Sequence, residues 1–253
     1  MNVDVGAAPP EPASIQQLLV VVPAWNEERL IGGAVESLRR AADAVSPMAV
    51  RIVIACDSCT DRTASIARAR AALDARFAVI EGSWGAAGAA RRAAVERARL
   101  LDGDAIPPEL TWLATTDADC VVPDDWLAQH LAHTADGIDA VAGVVTLLAD
   151  DDHSPEVARA FHDHYELGER SHRHVHGANL GVRLSAYDAA GGFPAIVTGE
   201  EHALWAELRR QSFSTCSSIS LRVATSSRLE GRAPNGFAGW LALRADGPVV
   251  AGD

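Results

Sequence analysis

Four short apolar runs, three of them followed by a helical pattern, constrain this chain more than any other feature. Leu18-Leu19-Val20-Val21-Val22 is a continuous run stopped by Pro23, as in a strand buried on both faces. Glu27 to Ala44 reads as a helix, with Leu30, Ile31, Ala34, Leu38 and Ala41 on one face. Val50–Ala55 is a second strand, followed by the polar Asp57-Ser58-Cys59-Thr60-Asp61 and an Ala/Arg helix to about Leu73. Phe77–Ile80 and Ala86–Leu101 give a third strand and helix, and Leu113–Thr116 a fourth strand that runs into Asp117-Ala118-Asp119. This alternation predicts an α/β fold with a parallel, doubly wound sheet and right-handed crossovers. Ligands of such sheets sit beyond the carboxyl ends of the strands. Three of those ends carry polar clusters: Trp25-Asn26-Glu27-Glu28, Asp57–Asp61 and Asp117–Asp119.

The second half is less regular. Asp124-Asp125 are candidate caps for a helix over Trp126–Ala135, and Ala140–Leu148 reads as a strand. Ser154-Pro155-Glu156 opens a helix to about Arg170 with a preferred cap and Pro in its first turn. Val175–Val182 is expected to be extended, Gly191-Gly192-Phe193-Pro194 a turn, Glu200–Arg210 a helix and Ile219–Val223 a last strand. No repeat or long linker divides the chain, so one domain is expected over residues 17–243, with tails at 1–16 and 244–253.

Composition removes several function classes. The 253 residues carry 34 acidic against 22 basic side chains, a net charge of −12, which argues against a nucleic-acid binder with a large cationic face. Every basic residue is Arg. The absence of Lys excludes a P-loop lysine, a Schiff-base lysine and a polylysine anchor. Cys56 and Cys59 form a CxxC with no second pair to complete a zinc site, and four Cys are too few for a disulfide framework. The apolar stretches are short of the ~20 residues a membrane helix needs, and no signal sequence is evident; a soluble, cytoplasmic protein is expected.

Each motif has a plainer alternative. Asp117 and Asp119 offer oxygen ligands to a hard cation such as Mg²⁺ or Mn²⁺, or form a solvated acidic turn. Asp57 can accept a hydrogen bond from a nucleobase or ribose, or belong with Ser58, Thr60 and Asp61 to the cap of the next helix. His172, His174 and His176 share one face if extended, which suits a metal, an acceptor contact or a solvated loop. Thr198-Gly199-Glu200-Glu201 is either the start of a helix bearing a catalytic carboxylate or a capping box.

Taken in order, these segments resemble family 2 glycosyltransferases of the GT-A fold, a Rossmann-like, mostly parallel doubly wound sheet with an acceptor-binding second half. The resemblance lies in Val20–Glu28, in Cys56–Thr63, in Gly88-Ala89-Ala90-Arg91-Arg92-Ala93 and in Thr116–Asp119. It continues through Gly177–Arg183, Gly191-Gly192-Phe193 and Gly199-Glu200-Glu201, and covers roughly residues 17–240. Cys56 stands where the family has a first Asp, Cys59 where it has Gly, and Arg92 where it has Asn. The resemblance implies a sugar transfer from a nucleotide-diphosphate donor, a UDP-sugar, to a hydroxyl acceptor with inversion, the donor held by residues 17–123 and the acceptor by 124–243. It implies that Pro23, Ala24, Glu27 and Ala118 line the nucleotide pocket, that Asp57 reads the base, and that Asp117 meets the ribose or the metal. Asp119 would ligate a Mg²⁺ or Mn²⁺, and Arg91 would hold the diphosphate or brace the aspartates. Glu201 would be the general base, with Glu200 its rival. Some relatives supply a late His ligand, and no His follows His202 here. The Gln-x-x-Arg-Trp motif of processive relatives is also missing. A nucleotidyltransferase and a non-catalytic nucleotide-binding homologue are the alternatives, and a homodimer is left open.

Overall fold

The computed structural model describes residues 14–102, 105–148, 157–159, 161, 165, 167–168, 171–228, 239 and 241–243. Its first half alternates as the apolar runs require: β1 (Gln17–Ala24), α1 (Ile31–Ala44), β2 (Ala49–Asp57), α2 (Thr63–Ala71), β3 (Phe77–Gly82), α3 (Ala87–Asp102) and β4 (Thr111–Thr115). There follow β5 (Cys120–Val121), α4 (Trp126–Ala135), β6 (Ala140–Leu147), β7 (Leu180–Arg183), α5 (Leu184–Ala189), α6 (Glu200–Arg210) and β8 (Thr215–Thr225). One eight-stranded sheet has the order β3-β2-β1-β4-β7-β6-β8-β5. β3, β2, β1 and β4 are mutually parallel, and β6 pairs parallel with β8. The sheet is nonetheless mixed, because β7 runs antiparallel to both β4 and β6, and β5 antiparallel to β8. The parallel part is the half where strands and helices alternate, and the sheet as a whole is the mostly parallel one expected, with β7 and β5 as its antiparallel members.

Strand geometry divides the core in two. Successive side chains point to opposite faces, so Leu18, Val20 and Val22 join Ile52, Ile54, Ile31 and Leu38 on one side. Leu19 and Val21 join Val53, Ala55, Ala90, Ala94 and Leu113 on the other. Both faces of β1 are covered, which is why its sequence is apolar throughout. Cys56 belongs to the first cluster and is 1% exposed, and burial pushes its thiol up to about 12.

Four local expectations are corrected. α1 begins at Ile31 rather than Glu27; the residues before it form a turn in which the Glu27 amide donates to Thr63 Oγ1 at 2.6 Å and the Glu27 carbonyl accepts from the Leu30 and Ile31 amides. α2 ends at Ala71, short of Leu73. Neither acid before α4 caps it: Asp125 holds the cap position without a side-chain bond, and Asp124 accepts from Arg40 at 2.8 Å. Val175–Val182 is broken by a 3₁₀ turn at Gly177–Asn179 before β7 begins. The helix expected from Ser154 lies largely outside the described residues, as do His153, His162, His164, both tail ends and the far end of the expected domain. Among the described residues, no helix is long and apolar enough to cross a membrane.

Candidate active site

The carboxyl ends of β1, β2 and β4 open onto a cavity of about 480 Å³, closed on its far side by the start of α6 and the residues after β8. All ten residues singled out above line it: Pro23, Ala24, Glu27, Asp57, Arg91, Asp117, Ala118, Asp119, Glu200 and Glu201. The same wall contains Arg228, which no sequence pattern indicated. Among the described residues its lining holds six carboxylates, on Glu27, Asp57, Asp117, Asp119, Glu200 and Glu201, against the guanidinium groups of Arg91 and Arg228.

The loop after β1 and the loop after β2 are stitched together. Asn26, in the left-handed region at φ 54°, accepts from the Thr60 amide at 2.8 Å. Asp61 accepts from the Thr63 amide and hydroxyl at 2.9 and 2.5 Å, and from the Glu28 amide at 3.1 Å. Burial raises the Asp61 carboxyl, but those bonds outweigh it and the net shift is downward. Asp61 therefore supplies the local bonding ahead of α2, where the cap residue itself, Arg62, makes no capping bond and sends its side chain to Glu28 at 3.1 Å. Asp57 has another setting. It is 1% exposed, and its Oδ1 accepts from the amides of Trp84 and Gly85 at 2.7 and 3.2 Å. These bonds fasten the loop after β3 to the cavity wall.

Arg91, buried on α3, links the two sides of the cavity. Its Nη2 donates to Asp117 and its Nη1 to Glu200, each at 2.5 Å, and the guanidinium lies 5.7 Å from the Phe193 ring centroid. One guanidinium thus ties Asp117, at the end of β4, to Glu200, at the start of α6. The glycines of two motifs make room for this link. A Cβ on Gly88 would lie 2.6 Å from Glu200 Cγ, and one on Gly177 2.4 Å from Arg91 Nη2. The neighbouring Asn179 is structural. It accepts from Trp126 Nε1 at 3.0 Å and donates to the carbonyls of Val144 and Leu221, each at 2.9 Å, tying β6 to β8.

Glu200 and Glu201 are not equivalent. Glu200 is consumed by Arg91, whereas Glu201 is raised to about 7, first by burial and then by the charge of Glu200, with Arg91 opposing. The capping box does not form. The cap position is Gly199, in the left-handed region at φ 82°, and the helix start has no side-chain cap bond.

Asp117, Asp119 and Cys120 present ligand atoms within 4.8 Å of one another. The two carboxylates suit a hard divalent cation. The Cys120 thiol does not, because burial drives its ionisation well above the ordinary range and it donates to Asp119 Oδ1 at 3.5 Å. Burial raises the Asp119 carboxyl, and Arg228 opposes that rise from 3.0 Å at Oδ2. Arg228 also reaches Glu27 Oε1 at 2.6 Å, and Glu27 is raised to about 7, by burial foremost and by Asp119 next. The Asp117 and Asp119 oxygens are the part of this donor set that fits a hard divalent cation.

The histidines form a ladder rather than a metal cage. His172, His174 and His176 stack at 5.9 and 5.7 Å, and Tyr165 lies 4.1 Å from His174. His172 Nε2 donates to the Ala142 carbonyl at 3.0 Å. Tyr165 Oη accepts from the Val145 amide at 3.1 Å and shares a hydrogen bond with His176 Nε2 at 2.9 Å. Burial lowers His176 to about 3, so it lines the cavity as a neutral ring.

Residues 19–187 match the Glycosyl transferase family 2 profile. Over 194 residues the chain is 29% identical to the succinoglycan biosynthesis protein ExoA of Rhizobium meliloti (strain 1021), covering 73% of this chain and 55% of that protein. The chain thus spans about half the length of this curated relative. The S. aureus TarS structure superposes with a TM-score of 0.62 at 14% identity, over 83% of this chain and 36% of that one. The mannosyltransferase PcManGT from Pyrobaculum calidifontis, in complex with GDP-Man and Mn²⁺, also superposes with a TM-score of 0.62, at 18% identity over 94% and 71%. At these identities the likeness establishes the fold, which is GT-A.

Proposed function

From the premise that the chain belongs to glycosyl transferase family 2, we propose that it transfers a sugar from a nucleotide-diphosphate donor to a hydroxyl acceptor, with inversion and with a divalent metal. It does so as one domain over residues 17–243, the donor on 17–123 and the acceptor on 124–243. The observation that carries this reading is that Asp117 and Asp119 share one cavity with Glu201, a carboxylate raised to about 7. Asp119, with Asp117, holds Mg²⁺ or Mn²⁺. When bound, that ion neutralises the diphosphate so that it can leave. Pro23, Ala24, Glu27 and Ala118 enclose the nucleotide, and Asp57 accepts the imide proton of a uracil. Arg91 positions Asp117 and Glu200. Glu201 takes the proton of the acceptor hydroxyl from the face opposite the leaving group, as inversion requires. The mannosyltransferase relative holds GDP-Man and Mn²⁺, which supports a metal and leaves the base to be tested.

The test is release of nucleoside diphosphate from UDP-, GDP- and TDP-sugars with Mn²⁺. The reading expects turnover with a preference for UDP-sugars. Asp57→Asn places a donor against the imide and should weaken uridine donors selectively, by about 1.5–3 kcal/mol, the worth of a hydrogen bond to a charged group. An unchanged preference among the three bases in Asp57→Asn would return Asp57 to a loop-fastening role. Absence of turnover, with nucleotide still bound, would favour the non-catalytic alternative. The homodimer left open above and a cytoplasmic location belong to the same reading, the former checked by sedimentation and the latter by cell fractionation.

A further inference from the structure

Arg228 stands where a metal would be expected to act. The antiparallel pairing of Cys120 with Thr225 brings the chain after β8 back over the Asp117–Asp119 turn, and the Ser226 amide donates to the Asp119 carbonyl at 3.2 Å. From there the guanidinium spans two acids from different strand ends, with Glu27 at 2.6 Å and Asp119 at 3.0 Å. The two arginines of the cavity differ in one respect. The Arg91 side chain is 3% exposed and locked between two carboxylates, whereas that of Arg228 is 39% exposed and has solvent to move into. A buried carboxylate needs a cation beside it. A guanidinium and a divalent ion cannot both contact Asp119 Oδ2 without strong mutual repulsion at so short a distance.

We propose that Arg228 is a built-in competitor of the divalent cation: in the donor-free protein it neutralises Asp119 and Glu27, and the ion enters only by displacing it. The inference rests on the metal reading above and goes beyond it by assigning to this chain a resident counter-charge for the same carboxylate. It makes Arg228 a positioning residue whose removal should strengthen ion binding. An arginine that merely supported the site would do the reverse.

The experiment is calorimetric titration of Mn²⁺ alone into the donor-free full chain, with melting curves confirming that each variant is folded. Arg228→Gln should bind Mn²⁺ roughly tenfold more tightly than the parent, within the usual range of coupling between linked sites. Arg228→Lys, which restores the cation, should stay near the parent, and the gain should vanish in Arg228→Gln/Asp119→Asn. Equal or weaker binding by Arg228→Gln, or a gain that survives Asp119→Asn, overturns the inference. If the parent binds Mn²⁺ through Asp119 and Arg228→Gln shows no gain, the competitor falls and the metal reading stands. If neither binds Mn²⁺, both fall.

Discussion

Arg91 takes up Glu200 at 2.5 Å, while the next residue, Glu201, is raised from 4.5 to about 7 by burial and by the charge of Glu200. Consecutive residues on a helix point about 100° apart, so although both line the cavity, Glu200 meets Arg91 and Glu201 points elsewhere in it. Glu201→Gln keeps the shape and removes the basicity. Transfer should then slow by roughly 10²-fold or more, with melting temperature and donor binding nearly intact. Glu200→Gln should instead loosen Arg91 and lower the melting temperature. If Glu200→Gln alone abolishes transfer, the roles are reversed; if both variants stay active, α6 holds no base. The base acts ionised, so kcat/KM of the parent should rise with pH through about 7 and then level, and that limb should disappear in Glu201→Gln. Stability runs the other way. Because the folded carboxyl titrates above its unfolded value, the folded state holds more protons between about 4.5 and 7. The contribution of Glu201 is therefore fully present below the unfolded value and is lost as pH rises through that window.

At the scale of elements, α3 and α6 meet through Gly88, where a Cβ would lie 2.6 Å from Glu200 Cγ and 2.8 Å from Glu200 Cβ. Gly88→Ala sets two effects against each other. Alanine favours a helix by about 0.5–1 kcal/mol, and overpacking a tight contact costs about 1–3 kcal/mol. Glu200 is pinned by Arg91 and has no easy retreat, so the clash should win: a lower melting temperature and reduced transfer. A melting temperature at or above the parent's would mean that α6 moves freely and that this packing does not position the acids. β1 was legible because its run Leu18–Val22 is covered on both faces and has no polar position to blur it, and β2, β3 and β4 because each is a short apolar run ahead of a polar cluster or a helical pattern. The start of α1 was not, because residues 27–30 form a turn fastened to Thr63 in another loop, a contact that the local apolar pattern does not carry. Nor was the second half: β5 has two residues, and the 3₁₀ turn at Gly177–Asn179 sits against Arg91, a contact from a distant helix. Ordered motifs brought ten cavity residues to notice. Arg228 had no such motif, and its place depends on the β5–β8 pairing, which no local pattern announces.

Over the whole molecule, the net charge of −12 concentrates in part at this cavity, where six carboxylates face two arginines. A nucleotide diphosphate would bring further negative charge to a wall that, among the described residues, holds two cations, and the chain has no lysine to offer. Arg91 is committed to its two acids. The account therefore stands on a divalent ion at Asp119. The most direct measurement is calorimetric titration of a UDP-sugar into the full chain with Mn²⁺, with chelator, and with Mn²⁺ in Asp119→Ala. The account predicts binding with Mn²⁺ that is lost with chelator and lost to a similar degree in folded Asp119→Ala. Equal donor affinity with and without chelator would contradict it.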